Sequence, residues 1–149
     1  MVNGKGFNKN EKVFWEKILS EFTDITGLEA NIVDPKGQVL VKTFEDEDLP
    51  RYCSLIRSTE KGRNGCLNSY AALAKKVIKT RQPQVEECHA KLINMGIPFT
   101  VSNKKDYVII IHHILGDRIG KQHKDFIAKL AKELKLKKAD LESCLKVLK

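Results

Sequence analysis

Glu29-Ala-Asn-Ile-Val33, Asp34-Pro-Lys-Gly37 and Gln38-Val-Leu-Val-Lys42 are the consecutive segments whose reading decides the fold. An apolar strand, a turn built on Pro and Gly, and a second strand make a hairpin signal. On its N-terminal side, residues 10–26 place Phe14, Trp15, Ile18, Leu19, Phe22 and Ile25 on one stripe at 3- and 4-residue spacing. That spacing predicts an amphipathic helix, and Gly27 is its natural C-terminal stop.

On the C-terminal side, the acidic run Glu45-Asp-Glu-Asp48 reads as an exposed loop, and Pro50 opens a short helix carrying Tyr52, Cys53, Leu55 and Ile56. Residues 64–80 predict a second helix with Cys66, Leu67, Tyr70, Leu73, Ala74, Val77 and Ile78 on one side, ended by Pro83. Three strand-like segments follow, Gln84–Ala90, Leu92–Val101 and Tyr107–Leu115, the last two joined by the polar turn Ser102–Asp106. Two helices close the chain, near 120–134 and 138–148. Two strands, a helical insert and three more strands predict one five-stranded antiparallel sheet in an α+β domain. The inserted helices are expected to roof one face, with helices at both termini. This layout resembles sensor domains of the PAS/GAF type. Residues 1–149 are expected to form a single domain, with 1–9 a flexible N-terminus.

Composition sets bounds. The 149 residues are 42% hydrophobic and 31% charged, as in a globular domain with a real core. No segment approaches the roughly 18 apolar residues of a membrane span, and Met1-Val-Asn-Gly-Lys-Gly6 lacks an apolar signal core. The expected compartment is the cytoplasm, where cysteines are reduced or metal-bound. The net charge of +8 raises nucleic acid as a partner. The excess is lysine (22 against 5 arginines), much of it at helical spacing after residue 120, which fits a solvated helix face. Base readout favours arginine, and no helix-turn-helix, RNP or zinc-finger pattern is present, so specific nucleic-acid binding is disfavoured.

Cys53, Cys66 and Cys88, with His89, fall within a quarter of the sequence. Their spacing contains no Cys-x-x-Cys, so a zinc ribbon or thioredoxin-type site is missing. Free cysteine is also among the most buried residue types, and three packing thiols would account for the pattern. Against this, Cys53 and Cys66 lie on the apolar sides of consecutive helices, and Cys88 on the strand beneath them. Soft thiolates select zinc or iron–sulfur clusters, and three of them leave a coordination position open. Neighbouring strand residues face apart, so Cys88 and His89 are expected on opposite faces, and so are His112 and His113. A fourth ligand could come from His113 or His89. Tyr52, Tyr70 and His112 are candidate walls of a small-molecule pocket, Cys144 a packing residue, and Arg57 and Arg63 candidate partners of an anion or of the Glu45–Asp48 loop. No phosphate loop or Ser-His-Asp set stands out, and Cys88 beside His89 is separated by strand geometry, so an enzyme is not expected.

Several segments together resemble the PocR ligand-binding (sensory) domain family. They are Glu21-Phe-Thr-Asp-Ile-Thr-Gly27, Asp34-Pro-Lys-Gly37, Tyr52-Cys53-Ser-Leu-Ile-Arg57, Gly62 to Cys66, Cys88-His89-Ala90, Gly96-Ile-Pro98 and Leu130-Ala-Lys-Glu-Leu134. The resemblance spans residues 12–148. The chain departs from the family at Lys91, where glycine is usual, and at His112-His113-Ile-Leu115, where a Gly-Gly-Gln-like turn is usual. The resemblance implies a PAS-like sensory module that binds a small organic molecule and signals through another module or a separate partner protein; a homodimer is compatible with it. The leading expectation is thus a sensory domain whose three-cysteine pocket could carry an iron–sulfur cluster or zinc. A metal-free thiol/disulfide redox sensor is the alternative, and a basic nucleic-acid accessory protein the third reading.

Overall fold

The computed structural model describes residues 6–45, 47–101, 105–114 and 121–147. Asp46, most of the expected 102–106 turn, Leu115 and Leu148 lie outside the described residues. Helix α1 (Lys9–Thr26) starts at a capping box: the Glu11 amide donates to Asn8 Oδ1 at 2.9 Å and the Asn8 amide to Glu11 Oε2 at 2.8 Å. Gly27, left-handed at φ 71°, stops it as expected. Before the helix, Phe7 stacks on Tyr107 at 4.6 Å between ring centroids.

The hairpin forms as β1 (Glu29–Val33) and β2 (Val39–Lys42). Asp34 Oδ1 accepts from the Lys36 and Gln38 amides at 2.8 and 2.9 Å and fixes the turn. Gly37 sits at φ 83° with its backbone against Ala71, a place where a Cβ would overlap the neighbouring helix. Next come α2 (Arg51–Arg57) and α3 (Glu60–Thr80), then β3 (Gln84–Glu87), β4 (Ile93–Thr100) and β5 (Asp106–Ile114), then α4 (Lys121–Leu134) and α5 (Lys138–Leu145). Helix α3 begins four residues before the expected start at residue 64 because Thr59 caps it, its Oγ1 accepting from the Gly62 amide at 3.0 Å.

Among the described residues the strands make one open antiparallel sheet in the order β2-β1-β5-β4-β3. Both faces are covered, where the sequence reading expected one. On one face α3 packs Tyr70, Leu73, Ala74 and Val77 onto Val33, Val108 and Ile110. On the other, Leu19 of α1, with Trp15 and Phe22 beside it, packs onto Ala30, Ile32 and Val41. The α1 stripe is wider than this contact: Phe14 and Ile25 stay exposed. A third cluster joins α2 to α4 and α5 through Tyr52, Cys53 and Ile56 against Ile127, Leu141 and Cys144, and Cys144 is buried packing there.

Candidate functional site

The three cysteines of the sequence cluster meet at one cavity. Cys53 comes from the inner face of α2, Cys66 from the second turn of α3 and Cys88 from the residue after β3. Ile56, Tyr70, Leu92 and His113 complete most of the wall, and the space is about 20 Å³. That holds one water-sized occupant or a single ion.

The expected opposition of Cys88 and His89 is corrected by the backbone. Strand β3 ends at Glu87, so alternation no longer applies at residues 88 and 89. Cys88 to Lys91 form a turn: the Lys91 amide donates to the Cys88 carbonyl at 2.9 Å, and the Cys88 amide to the Leu92 carbonyl at 2.7 Å. Lys91 stands at φ 66°, a left-handed position that favours glycine, which explains the residue usual there in the resembling family. The turn brings His89 back to α3. His89 Nε2 lies 3.3 Å from Cys66 Sγ, and the His89 amide donates to Ser69 Oγ at 3.0 Å. A Cβ on Gly65 would overlap the His89 ring, so glycine is what lets the helix come this close.

Tyr52 does not line the cavity. It is buried, and its hydroxyl donates to the Ala90 carbonyl at 2.9 Å, tying α2 to the turn that carries Cys88. Tyr70 does line it, and also a second cleft of about 390 Å³ between β2, α1 and α3. This cleft is walled by Asn31, Val39, Leu40, Phe44, Arg57 and Tyr70. Arg57 and Tyr70 separate the two spaces. Asn31 is buried, with no hydrogen-bond partner for its Oδ1. Nearer the rim, Glu45 pairs with Lys42 at 2.6 Å, and the Arg63 guanidinium donates to the Arg57 carbonyl at 2.9 Å.

Burial keeps the Cys53 and Cys88 thiols neutral. Burial pushes the Cys53 thiol far above the ordinary range, helped by its neighbours Cys88 and Cys66. Burial also raises Cys88, although the Ala90 and Leu92 amides work the other way. Neutral thiols of this kind are poor nucleophiles. Burial lowers His89 as well, leaving it a neutral imidazole beside Cys66.

His112 and His113 break the parity rule too. Between the Ile93–Ile114 and Met95–Ile111 pairs, β5 carries one more residue than β4, and His113 takes φ 64°. A bulge of this kind re-aims a side chain. Both imidazoles therefore turn to the same side, with ring centroids 3.9 Å apart and Phe44 edge-on to each. Glu29, which the sequence reading did not single out, stands opposite His112 in the β1–β5 pairing. Its Oε2 lies 2.6 Å from His113 Nδ1. Among the described residues, these three side chains are the ones whose metal-ligating atoms all fall within 4.8 Å of one another; the three thiols are not so tightly drawn together.

An open antiparallel sheet with helices inserted after its first hairpin, roofing a cleft and a thiol-lined cavity, defines a PAS-like α+β sensory domain. Residues 11–149 match the family described as the sensory domain found in PocR, and the chain belongs to that family. No curated protein and no solved structure matches the chain. Among the described residues, no helix is long and apolar enough to cross a membrane.

Proposed function

We propose that this sensory domain binds a small organic molecule in the cleft between β2, α1 and α3, and that Cys53, Cys66 and Cys88 draw together by side-chain rotation, from their present wider spacing, onto a single thiophilic ion, zinc by preference, behind the Arg57–Tyr70 wall. The observation that carries the reading is the pairing of two spaces of different size across one shared wall. A cleft of about 390 Å³ lies in the range of small-ligand sites. The thiol cavity, at about 20 Å³, matches an ion and is too small for an iron–sulfur cluster or an organic ligand in this geometry.

The chemistry of the cleft narrows the ligand. Asn31 Oδ1 asks for a donor, and Val39, Leu40 and Phe44 offer an apolar wall. A short hydroxylated or amide-bearing carbon chain meets both demands. In the thiol cavity, a cation would displace thiol protons and offset the charge of the thiolates so formed, while His89 stands beside Cys66 as a hydrogen-bonding partner or further ligand.

A thermal-shift screen of short diols, hydroxy acids and amides on the full chain tests the cleft, with metal analysis run on the same preparation. At least one compound should raise Tm, and the rise should vanish in Asn31→Ala while zinc stays near one equivalent. A screen with no hit removes the cleft reading. Absence of zinc after purification without chelator removes the thiol reading. Specific nucleic-acid binding has no structural support beyond exposed lysines.

A further inference from the structure

The structure assigns a second, harder metal site to Glu29, His112 and His113, on the sheet rather than among the cysteines: a two-histidine, one-carboxylate set for a divalent transition ion. Three observations carry it.

The first is the backbone. A regular strand would send His112 and His113 to opposite faces, and one of them would meet α1. The bulge and the φ of 64° at His113 hold the second imidazole in a conformation that non-glycine residues rarely adopt. The result is two imidazoles and a carboxylate turned toward one point.

The second is the contact between the rings. They stand nearly perpendicular, at 88°, and His112 Nδ1 is 3.0 Å from His113 Nδ1 and 2.8 Å from His113 Nε2. His112 Nδ1 thus faces both nitrogens of the perpendicular ring at once, rather than being aligned on one of them. His112 Nε2 is buried without a partner, so no hydrogen-bond network fixes the ring from its far side.

The third is access. A pocket of about 260 Å³, lined by Gly27, Leu28, Glu29, Pro50, His112 and His113 among others, opens beside the three groups. It leaves room for water or an exchangeable ligand on the open side of the ion. Two imidazoles and one carboxylate with open positions suit iron(II), cobalt, nickel or zinc. His113 also borders the thiol cavity, which places the two sites back to back.

Cobalt(II) titration of the full chain, stripped with chelator and kept reduced, distinguishes the sites by colour. Cobalt on nitrogen and oxygen gives weak visible bands, whereas cobalt on thiolate adds intense near-ultraviolet charge transfer. The expected result is an equivalent with visible bands and little charge transfer that is retained in Cys66→Ser, apart from any equivalent on the thiols, whose charge transfer Cys66→Ser removes. Glu29→Gln and His113→Asn should weaken it by more than the ~10- to 100-fold that loss of a hydrogen-bonding partner of a ligand costs. Asparagine is chosen because it tolerates positive φ. If the variants fold poorly, paramagnetically shifted ring protons from two histidines in the unmodified chain provide the same test. Spectra dominated by charge transfer and indifferent to Glu29→Gln would place the cobalt on the cysteines and overturn the assignment. Absence of any cobalt equivalent in Cys66→Ser would overturn it equally, while the small-molecule test and the zinc analysis of the unmodified chain would stand unaffected.

Discussion

Replacing Tyr52 by phenylalanine isolates one hydrogen bond on which the geometry of the cysteine cavity depends. The ring is 1% exposed and its hydroxyl donates to the Ala90 carbonyl at 2.9 Å. Phenylalanine keeps the packing against α4 and α5 but leaves that carbonyl, on a residue 3% exposed, without its donor. Stranding a buried acceptor costs about 1–3 kcal/mol. At this chain length each kcal/mol is worth roughly 2–4 °C in Tm. The loss should therefore appear as a lower urea midpoint at unchanged slope, since no surface is newly exposed in the native state. The bond also anchors the Cys88–Lys91 turn to α2, so the reaction of Cys88 with a thiol reagent should quicken together with the loss of stability. A change below about 0.5 kcal/mol, the scatter of an ordinary surface substitution, with unaltered Cys88 reactivity, would refute the idea that Tyr52 holds the turn.

Two further outcomes are expected. His112 and His89 are buried with their basicity lowered, so each contributes stability that is present above the unfolded imidazole pKa of about 6.5 and is lost as pH falls below it. The unfolding free energy should decline from about pH 6.5 downward by at most about 1.4 kcal/mol per pH unit for each histidine, and His112→Gln should flatten the profile; an unchanged profile in that variant would remove His112 as its source. Lys91→Gly should be neutral or stabilising by up to about 1 kcal/mol, because relief of the left-handed backbone offsets the added chain entropy and the loss of the exposed Glu87 pair. Lys91→Val should destabilise; equal midpoints for the glycine and valine variants would show that φ does not matter there.

What could be read from the chain and what could not divide along physical lines. The hairpin was readable because Asp34-Pro-Lys-Gly37 is turn chemistry with apolar strands on either side, and the sheet followed from the spacing of the strands around the helical insert. The convergence of Cys53, Cys66 and Cys88 was readable because two lay on helical apolar faces and one at the end of a strand. Side-chain direction was not readable wherever the backbone left its regular period. Residues 88 and 89 lie past β3, and His113 sits in a bulge, so a rule that assumes alternation failed at both places. Glu29 escaped notice for a different reason. It acquires a role only through its register against His112, and register is a property of two strands that neither shows alone. The division into a wide cleft and a narrow thiol cavity depends on where the Arg57 and Tyr70 side chains stand, which periodicity does not specify.

Helix α2 is only seven residues long, and it is shared property. One flank bears Cys53 on the thiol cavity, and the other is interlocked with Leu141 and Cys144 of α5. So short a rod has little scope to bend and shifts as a block between tightly packed neighbours. A substitution that displaces Cys53 should therefore be felt at α5 as well as at the cavity, because both share one packed cluster.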